Sequence, residues 1–210
     1  RRRCVQAAGQ LSDLPGDDAA YKRTLDTTRE IVEEEVATLR RLVSAFSEFA
    51  RLPDVKPAPA DLAEFVRDMA SSRALLDELD PGVTVRFEPG VAEVPVRLDR
   101  IRFRRAVENL LRNAVEAMAS TGGTVWVRVE SREVTEPGAA HPSAQAWLVV
   151  EDDGPGIPAA QRDKVFDPYF TTKATGTGLG LAIVRKIALD HDGDVGLEDR
   201  PGGGTRFVLT

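Results

Sequence analysis

Cysteine is nearly absent from this chain. One residue, Cys4, occurs among 210, so no internal disulfide framework exists and a reducing compartment suits it. Histidine is almost as scarce, and two of them with one cysteine leave little material for a zinc site. Apolar runs stop after a few residues, far short of the roughly 20 that a membrane span needs. No secretory signal opens the chain, because Arg1, Arg2 and Arg3 lead into Cys4-Val5-Gln6 and polar sequence. No methionine precedes Arg1, and the sequence reads as part of something longer. A basic excess is missing too. The net charge of −6 and pI of about 5.1 argue against a bulk nucleic-acid binder. Internal repeats and low-complexity tracts are also lacking. What remains is a soluble, cytoplasmic globular chain, 42% hydrophobic and 30% charged, of one large domain or two small ones.

From Asp18 to Arg51 neither proline nor glycine occurs. Val32, Val36, Leu39, Val43, Phe46 and Ala50 step by alternating fours and threes, and Ile31, Leu42 and Phe49 widen the stripe. This predicts a helix of roughly 50 Å with a heptad-like seam. Acidic Asp26, Glu30, Glu33, Glu34 and Glu35 precede basic Arg40, Arg41 and Arg51, the order a helix dipole favours. Leu14-Pro15-Gly16-Asp17-Asp18 reads as a turn with an aspartate cap, which leaves Arg1 to Leu11 as the tail of an antiparallel helix. The seam needs a partner. A helical bundle with a second copy of the chain, through residues 18–51, answers that need, and a helical hairpin packed on its own chain is the plainer alternative.

Residues 53–59, with Pro53, Pro57 and Pro59, predict a stiff linker and a domain boundary. Beyond it, residues 60–210 alternate in type. Helices are expected over Asp61 to Leu79, Asp99 to Ala119 and Leu179 to Asp190. Strands are expected over Val83 to Phe87, Ala92 to Leu98, Thr124 to Ser131, Ala146 to Glu151, Asp194 to Glu198 and Thr205 to Leu209. Strands are too many for βαβ units, and helices few and long. The pattern predicts an α+β sandwich, a mixed sheet covered by helices on one face.

Three constellations carry chemistry. Asn109 and Asn113 stand one turn apart on a predicted helix, so their amides share a face that suits Mg²⁺ or a polyphosphate. Two polar residues satisfying a loop would look the same. Asp152, after a predicted strand and before Asp153, Gly154, Gly156 and Ile157, can offer a carboxylate to an exocyclic amine. An acidic turn is the plainer alternative. Thr175-Gly176-Thr177-Gly178-Leu179-Gly180 opens a helix whose unpaired amides suit a phosphate. It lacks the lysine of a Walker loop and does not follow a strand as a dinucleotide fingerprint does.

In their order and spacing these three, with Val165-Phe166-Asp167-Pro168-Tyr169-Phe170-Thr171-Thr172-Lys173, resemble the N box, first glycine box, F box and second glycine box of sensor histidine kinases. His191-Asp192-Gly193 and Gly202-Gly203-Gly204-Thr205-Arg206-Phe207 resemble that family too. The segment Leu42 to Arg51 resembles the second dimerisation helix of its nitrogen-regulation class. The resemblance implies a Bergerat fold, shared with gyrase, and an ATP or ADP site with Mg²⁺. It makes residues 1–52 a partial dimerisation and phosphotransfer hairpin and residues 60–210 the ATP-binding domain. By matched position, Asp152 is the adenine-amine acceptor, Gly156 the close-approach glycine, with Gly154 and Ile157 beside them, and Thr205 a second adenine contact. Asn113 is the principal Mg²⁺ ligand with Asn109 in support, and Lys173 is a cation for the phosphates. Gly176, Gly178 and Gly180 form the phosphate-side hinge of a lid over about 158–177, which Phe166 and Phe170 anchor, and Thr177 and Leu179 beside them are implied nucleotide contacts.

The family's phosphoacceptor motif, a histidine followed by glutamate and then Asn-Pro, is absent. His141 falls in a predicted loop and His191 at a helix end, and both read as surface or turn residues. The chain therefore reads as beginning near the end of the helix that bears the acceptor, and as unable to phosphorylate itself. A response regulator is the implied partner, and a membrane contact by this segment is not expected. A nucleotide-gated ATPase or a purely regulatory dimer module are the alternatives. The first is disfavoured because Asn109 occupies the place where gyrase-like members carry a catalytic glutamate.

Overall fold

The computed structural model describes residues 18–50, 55–72, 82–90, 92–134, 143–173 and 176–210. The chain divides into two compact units, Arg1–Ser47 and Glu48–Thr210. The described part of the first belongs to α1 (Asp18–Ala50), an unbroken helix of 33 residues whose last three are assigned to the second unit. On it Ile31, Val32, Val36, Leu39 and Val43 are all exposed. The predicted turn at residues 14–17 and the tail before it lie outside the described residues.

The second unit runs β1 (Ala58–Asp61), α2 (Leu62–Ala70), β2 (Val83–Glu88), β3 (Pro95–Leu98), α3 (Arg100–Met118), β4 (Gly123–Val134) and β5 (Ser143–Asp152). It continues through α4 (Ala159–Arg162), α5 (Gly180–Asp190), β6 (Val195–Asp199) and β7 (Thr205–Leu209). Five strands form one sheet in the order β2-β4-β5-β7-β6, with β2 parallel to β4 and every other pair antiparallel. The sheet is mixed, as the strand count predicted.

Its two faces differ because β-strand side chains alternate. Val125 and Val127 of β4, Leu148 and Val150 of β5, and Phe207 and Leu209 of β7 share the face that helices cover, and all are buried. On α3, Val107, Leu110, Leu111, Ala114, Val115 and Met118 recur at three- and four-residue steps and are buried, giving one stripe. Phe65 and Met69 of α2 and Ile187 of α5 complete the layer, each large side chain contributing about 1.5–3 kcal/mol of burial.

Charge finishes the opposite face. Arg206 reaches Glu151 at 2.6 Å and Glu130 at 3.1 Å, Arg128 joins Glu151 to Glu88, and Arg132 pairs with Glu130 at 2.8 Å. Beneath this lattice Val149, Val208 and Glu151 are buried. Two aromatic rings lie in it, Trp147 under Arg132 at 4.1 Å and Trp126 under Arg200 at 4.4 Å.

Three boundaries move from expectation. The helix predicted from Asp61 to Leu79 starts at Leu62 and ends at Ala70, where Ser71 caps it and its hydroxyl bonds the Asp68 carbonyl. Asp61 lies before the helix as its N-cap, accepting from Ala63 and Glu64, and it also accepts from Val94 at 2.9 Å. Residues 73–79 lie outside the described residues. Ala58 and Pro59, expected in the linker, begin β1, which pairs antiparallel with β3 so that Pro59 faces Arg97. In a two-stranded ribbon every strand is an edge, so prolines are tolerated. The central strands β4 and β5 run longer than predicted, because hairpin pairing from Val125↔Asp152 to Val134↔Ser143 extends past the apolar alternation.

Candidate nucleotide site

Asp99 fixes the start of α3. Its carboxylate accepts from Ile101, Arg102 and the backbone of Lys56, while its own N–H goes to His191 Nε2 at 2.9 Å. Burial pushes its carboxyl up, but these backbone donors outweigh it and leave the group below 3.8. From that anchor the helix carries Asn109 and Asn113 in half-buried positions to the start of α5. A Cβ on Gly180, the first residue of α5, would lie 3.8 Å from both Asn109 Oδ1 and Asn113 Nδ2. No side chain caps α5. The first-turn amides of an 11-residue helix and two neutral amide side chains therefore meet at one place, a setting for anionic oxygens and a hard cation.

Asp152 ends β5 and is 4% exposed. Its Oδ1 accepts the backbone N–H of Gly154 at 3.0 Å and of Thr205 at 3.3 Å, and the Thr205 hydroxyl also bonds the carboxylate. Burial, the largest influence, pushes its carboxyl up from 3.8 against those bonds. Asp153 is spent differently, accepting Thr124 N–H at 2.7 Å. Gly204 presses on the Asp152 carbonyl so closely that a Cβ would come within 1.8 Å of it, at a φ of +104°. A Cβ on Gly156 would meet the Gly204 carbonyl at 3.4 Å, and one on Gly154 would meet Met118 Cγ at 3.0 Å. The result is a carboxylate at a strand end among backbone surfaces without side chains, where a flat ring can approach. Ile157 stands half-buried beside it, and its carbonyl accepts Arg162 Nε at 3.0 Å.

The segment between these two halves begins at Phe166, which meets Phe207 edge-on at 6.2 Å, so the expected anchoring by Phe166 has a partner in β7. Tyr169, at φ +69°, donates its N–H to the Gly178 carbonyl at 2.9 Å. That bond joins the two ends of the segment inside the expected span of 158–177; residues 174 and 175 lie outside the described residues. Within it Lys173 donates to Thr171 Oγ1 and accepts from Gly176 N–H, and its ammonium pairs with Glu116 of α3. The structure thus engages Lys173 with a carboxylate one turn beyond Asn113. Thr177 is half-buried, whereas Leu179 is 1% exposed, so it offers a ligand only its backbone.

Sequence reasoning missed Met118 and Glu116 beside this site, and it named Gly204 only within a family motif. The i+3 step from Asn113 to Glu116 was a signal for the second. His191 is the turn residue at the end of α5 that was expected, and its ring is also engaged: it is half-buried, with Nδ1 at 2.7 Å from the Ile187 carbonyl and Nε2 accepting from Asp99. His141 lies outside the described residues. Among the described residues no group of three or more His, Cys, Asp or Glu could hold a metal ion, and no helix is long and apolar enough to cross a membrane.

Residues 98–210 match the family model described as histidine kinase-, DNA gyrase B- and HSP90-like ATPase. Nitrogen regulation protein NtrY of Azorhizobium caulinodans is 33% identical over 87% of this chain and 23% of its own length. Sensor histidine kinase ZraS of Klebsiella oxytoca is 32% identical over 93% of this chain and 39% of its own. A solved mycobacterial sensor histidine kinase, MprB, is 32% identical with a TM-score of 0.55, over 73% of this chain and 97% of that one. The chain belongs to the histidine kinase-, DNA gyrase B- and HSP90-like ATPase family, and its second unit is the ATP-binding catalytic domain of the sensor histidine kinase type. It spans 23% of the length of the first of these curated relatives and 39% of the second.

Proposed function

We propose that this chain holds Mg-ATP and presents its γ-phosphate to a histidine on a dimerisation helix, the first step of a two-component relay ending on a response-regulator aspartate. The observation that carries it is the meeting of Asn109, Asn113 and the uncapped start of α5 on one side, with the buried Asp152 among glycines on the other. In this reading Asp152 accepts the adenine amine, with Thr205 as the second contact and Gly154, Gly156 and Ile157 lining the approach. Asn113 is the main Mg²⁺ ligand and Asn109 its support. Mg²⁺, when bound, neutralises phosphate charge and orients the transferred group.

The protein's own part is positioning. The N–H groups at Gly180 and after it face the phosphates, Asn109 and Asn113 orient them, and Lys173 leaves Glu116 for them as the 170–177 loop folds over and excludes water. None of these residues is a general base. Asn109 stands where a hydrolytic relative needs a carboxylate, and Glu108 projects about 100° away on the helix. The apolar row Val32, Val36, Leu39 and Val43 on α1, exposed in the single chain, supports a homodimer through this helix. Neither His141 nor His191 serves as the acceptor histidine, which another chain segment supplies, and the reaction takes place in the cytoplasm.

Calorimetric titration of ATP, with and without Mg²⁺, tests the reading. One saturable site, strengthened by Mg²⁺ and lost in Asp152→Asn, is the expected result. Equal heats in both proteins would remove the adenine assignment.

A further inference from the structure

We infer that Arg200, clamped on Trp126, is a positioning residue for the adenine pocket, so that the charged face of the sheet sets the pocket's geometry from behind. The inference rests on the nucleotide reading of the Asp152 site. Residues 200–204 form the turn between β6 and β7, and that turn is the wall of the pocket. Gly204 presses on the Asp152 carbonyl and faces Gly156, and the next residue, Thr205, donates to Asp152 Oδ1 at 3.3 Å.

The turn has little packing of its own. A Cβ on Gly202 or Gly203 would meet nothing within 4 Å, and Gly202, Gly203 and Gly204 all have φ between +93° and +104°. Gly202 and Gly203 are free to wander unless something outside them fixes their position. Arg200 supplies the tie. Its guanidinium carbon lies 4.4 Å from the Trp126 ring centre, and its Nη1 donates to the Gly203 carbonyl at 3.3 Å. Its backbone closes the same turn, with Gly203 N–H to the Arg200 carbonyl at 3.0 Å and Arg200 N–H to the Gly204 carbonyl at 3.4 Å. Trp126 in turn sits on central strand β4, paired across to Glu151, the residue before Asp152. The path runs from ring to guanidinium to turn to pocket, and each link is a contact.

Mg-ADP titration of the whole chain tests it against an internal control. Arg132 stacks on Trp147 at 4.1 Å with the same chemistry on the same face, remote from the turn. Arg200→Ala is expected to weaken Mg-ADP about fivefold, the scale of one cation–π contact, while Arg200→Lys recovers most of that loss. Arg132→Ala keeps the wild-type affinity. In Trp147→Phe protein, Trp126 is the remaining indole, and its emission shifts on Mg-ADP binding; Arg200→Ala abolishes that shift. Unchanged affinity in Arg200→Ala, an equal loss in Arg132→Ala, or a Trp126 emission that ignores saturating Mg-ADP would each overturn the proposal. The emission experiment keeps Arg200 intact, so it decides even where Arg200→Ala fails to fold. Failure of wild-type protein to bind Mg-ADP would instead strike the nucleotide reading, a separate result.

Discussion

The imidazole of His191 at the end of α5 accepts the backbone N–H of Asp99, the residue that caps α3, at 2.9 Å. With Nδ1 donating to Ile187, the ring is fixed as one neutral tautomer, and it packs edge-on against Phe103 at 5.7 Å. The two helices that carry Asn109, Asn113 and Gly180 are thereby pinned at their far ends. His191→Ala is expected to destabilise the second unit by about 1–3 kcal/mol, since it leaves a half-buried donor unpaired. Urea unfolding at neutral pH measures it, and a midpoint equal to wild type would show the pin to be slack.

Asp152→Asn loses a charge-assisted acceptor and should weaken ATP about 100-fold. The pH response has a definite sign. Burial holds the folded carboxyl above 3.8, so ATP affinity falls as pH drops through that raised value, because the acceptor form disappears. Fold stability moves the other way: this group's favourable contribution is present below 3.8 and is lost as pH rises through the folded value. Calorimetry across an acid series should show wild-type affinity declining while the asparagine variant stays flat.

Asp61 shows the opposite linkage. Donation from Val94 is the main influence lowering its carboxyl below 3.8, with Ala63, Glu64 and Arg67 adding to it against a burial penalty. Its contribution is therefore present above 3.8 and is lost as pH falls through the lowered folded value. Asp61→Ala should cost about 1–2 kcal/mol at neutral pH, the scale of a lost N-cap, with the gap narrowing in acid. A gap that is constant with pH would contradict this linkage.

Gly178 adopts a φ of +66°, and a Cβ there would come within 2.4 Å of the Tyr169 backbone. Gly178→Ala must open the base of the 170–177 loop. Faster proteolytic cleavage inside 170–177 and weaker ATP binding are expected, with the midpoint of urea unfolding nearly unchanged. Wild-type cleavage rates would mean that the loop closes without this bond.

Asn113→Asp adds a negative charge at the proposed cation ligand. Its signature is a steeper dependence of ATP affinity on Mg²⁺ with adenine selectivity kept. The same Mg²⁺ dependence as wild type would remove Asn113 from that role.

The helices of the second unit were legible where local pattern and burial coincide. The stripe from Val107 to Met118 predicts α3 to within a residue or two, and Asn109 and Asn113 interrupt that apolar surface visibly. The strand Ala58–Asp61 was hidden, because its partner lies 34–40 residues on and prolines argue for a linker. Lys173 could be named but not placed: Glu116, 57 residues earlier, is brought to it by the fold alone. The same holds for Trp126 and Arg200, whose contact spans β4 to the β6–β7 turn. Asp152 was found by what surrounds it in sequence, Gly154 and Gly156, whereas the residue that shapes its carbonyl side, Gly204, comes from the next hairpin.

Among the described residues of the second unit, the sheet face opposite its helices ends in Glu88, Arg128, Glu130, Arg132 and Arg206 rather than in apolar groups. An uncovered sheet usually invites a second layer or another molecule, since exposed apolar area adheres without discrimination. Here the alternating charges hold water at the surface while the tryptophans lie beneath arginines. This face therefore offers little adhesive apolar area to another molecule.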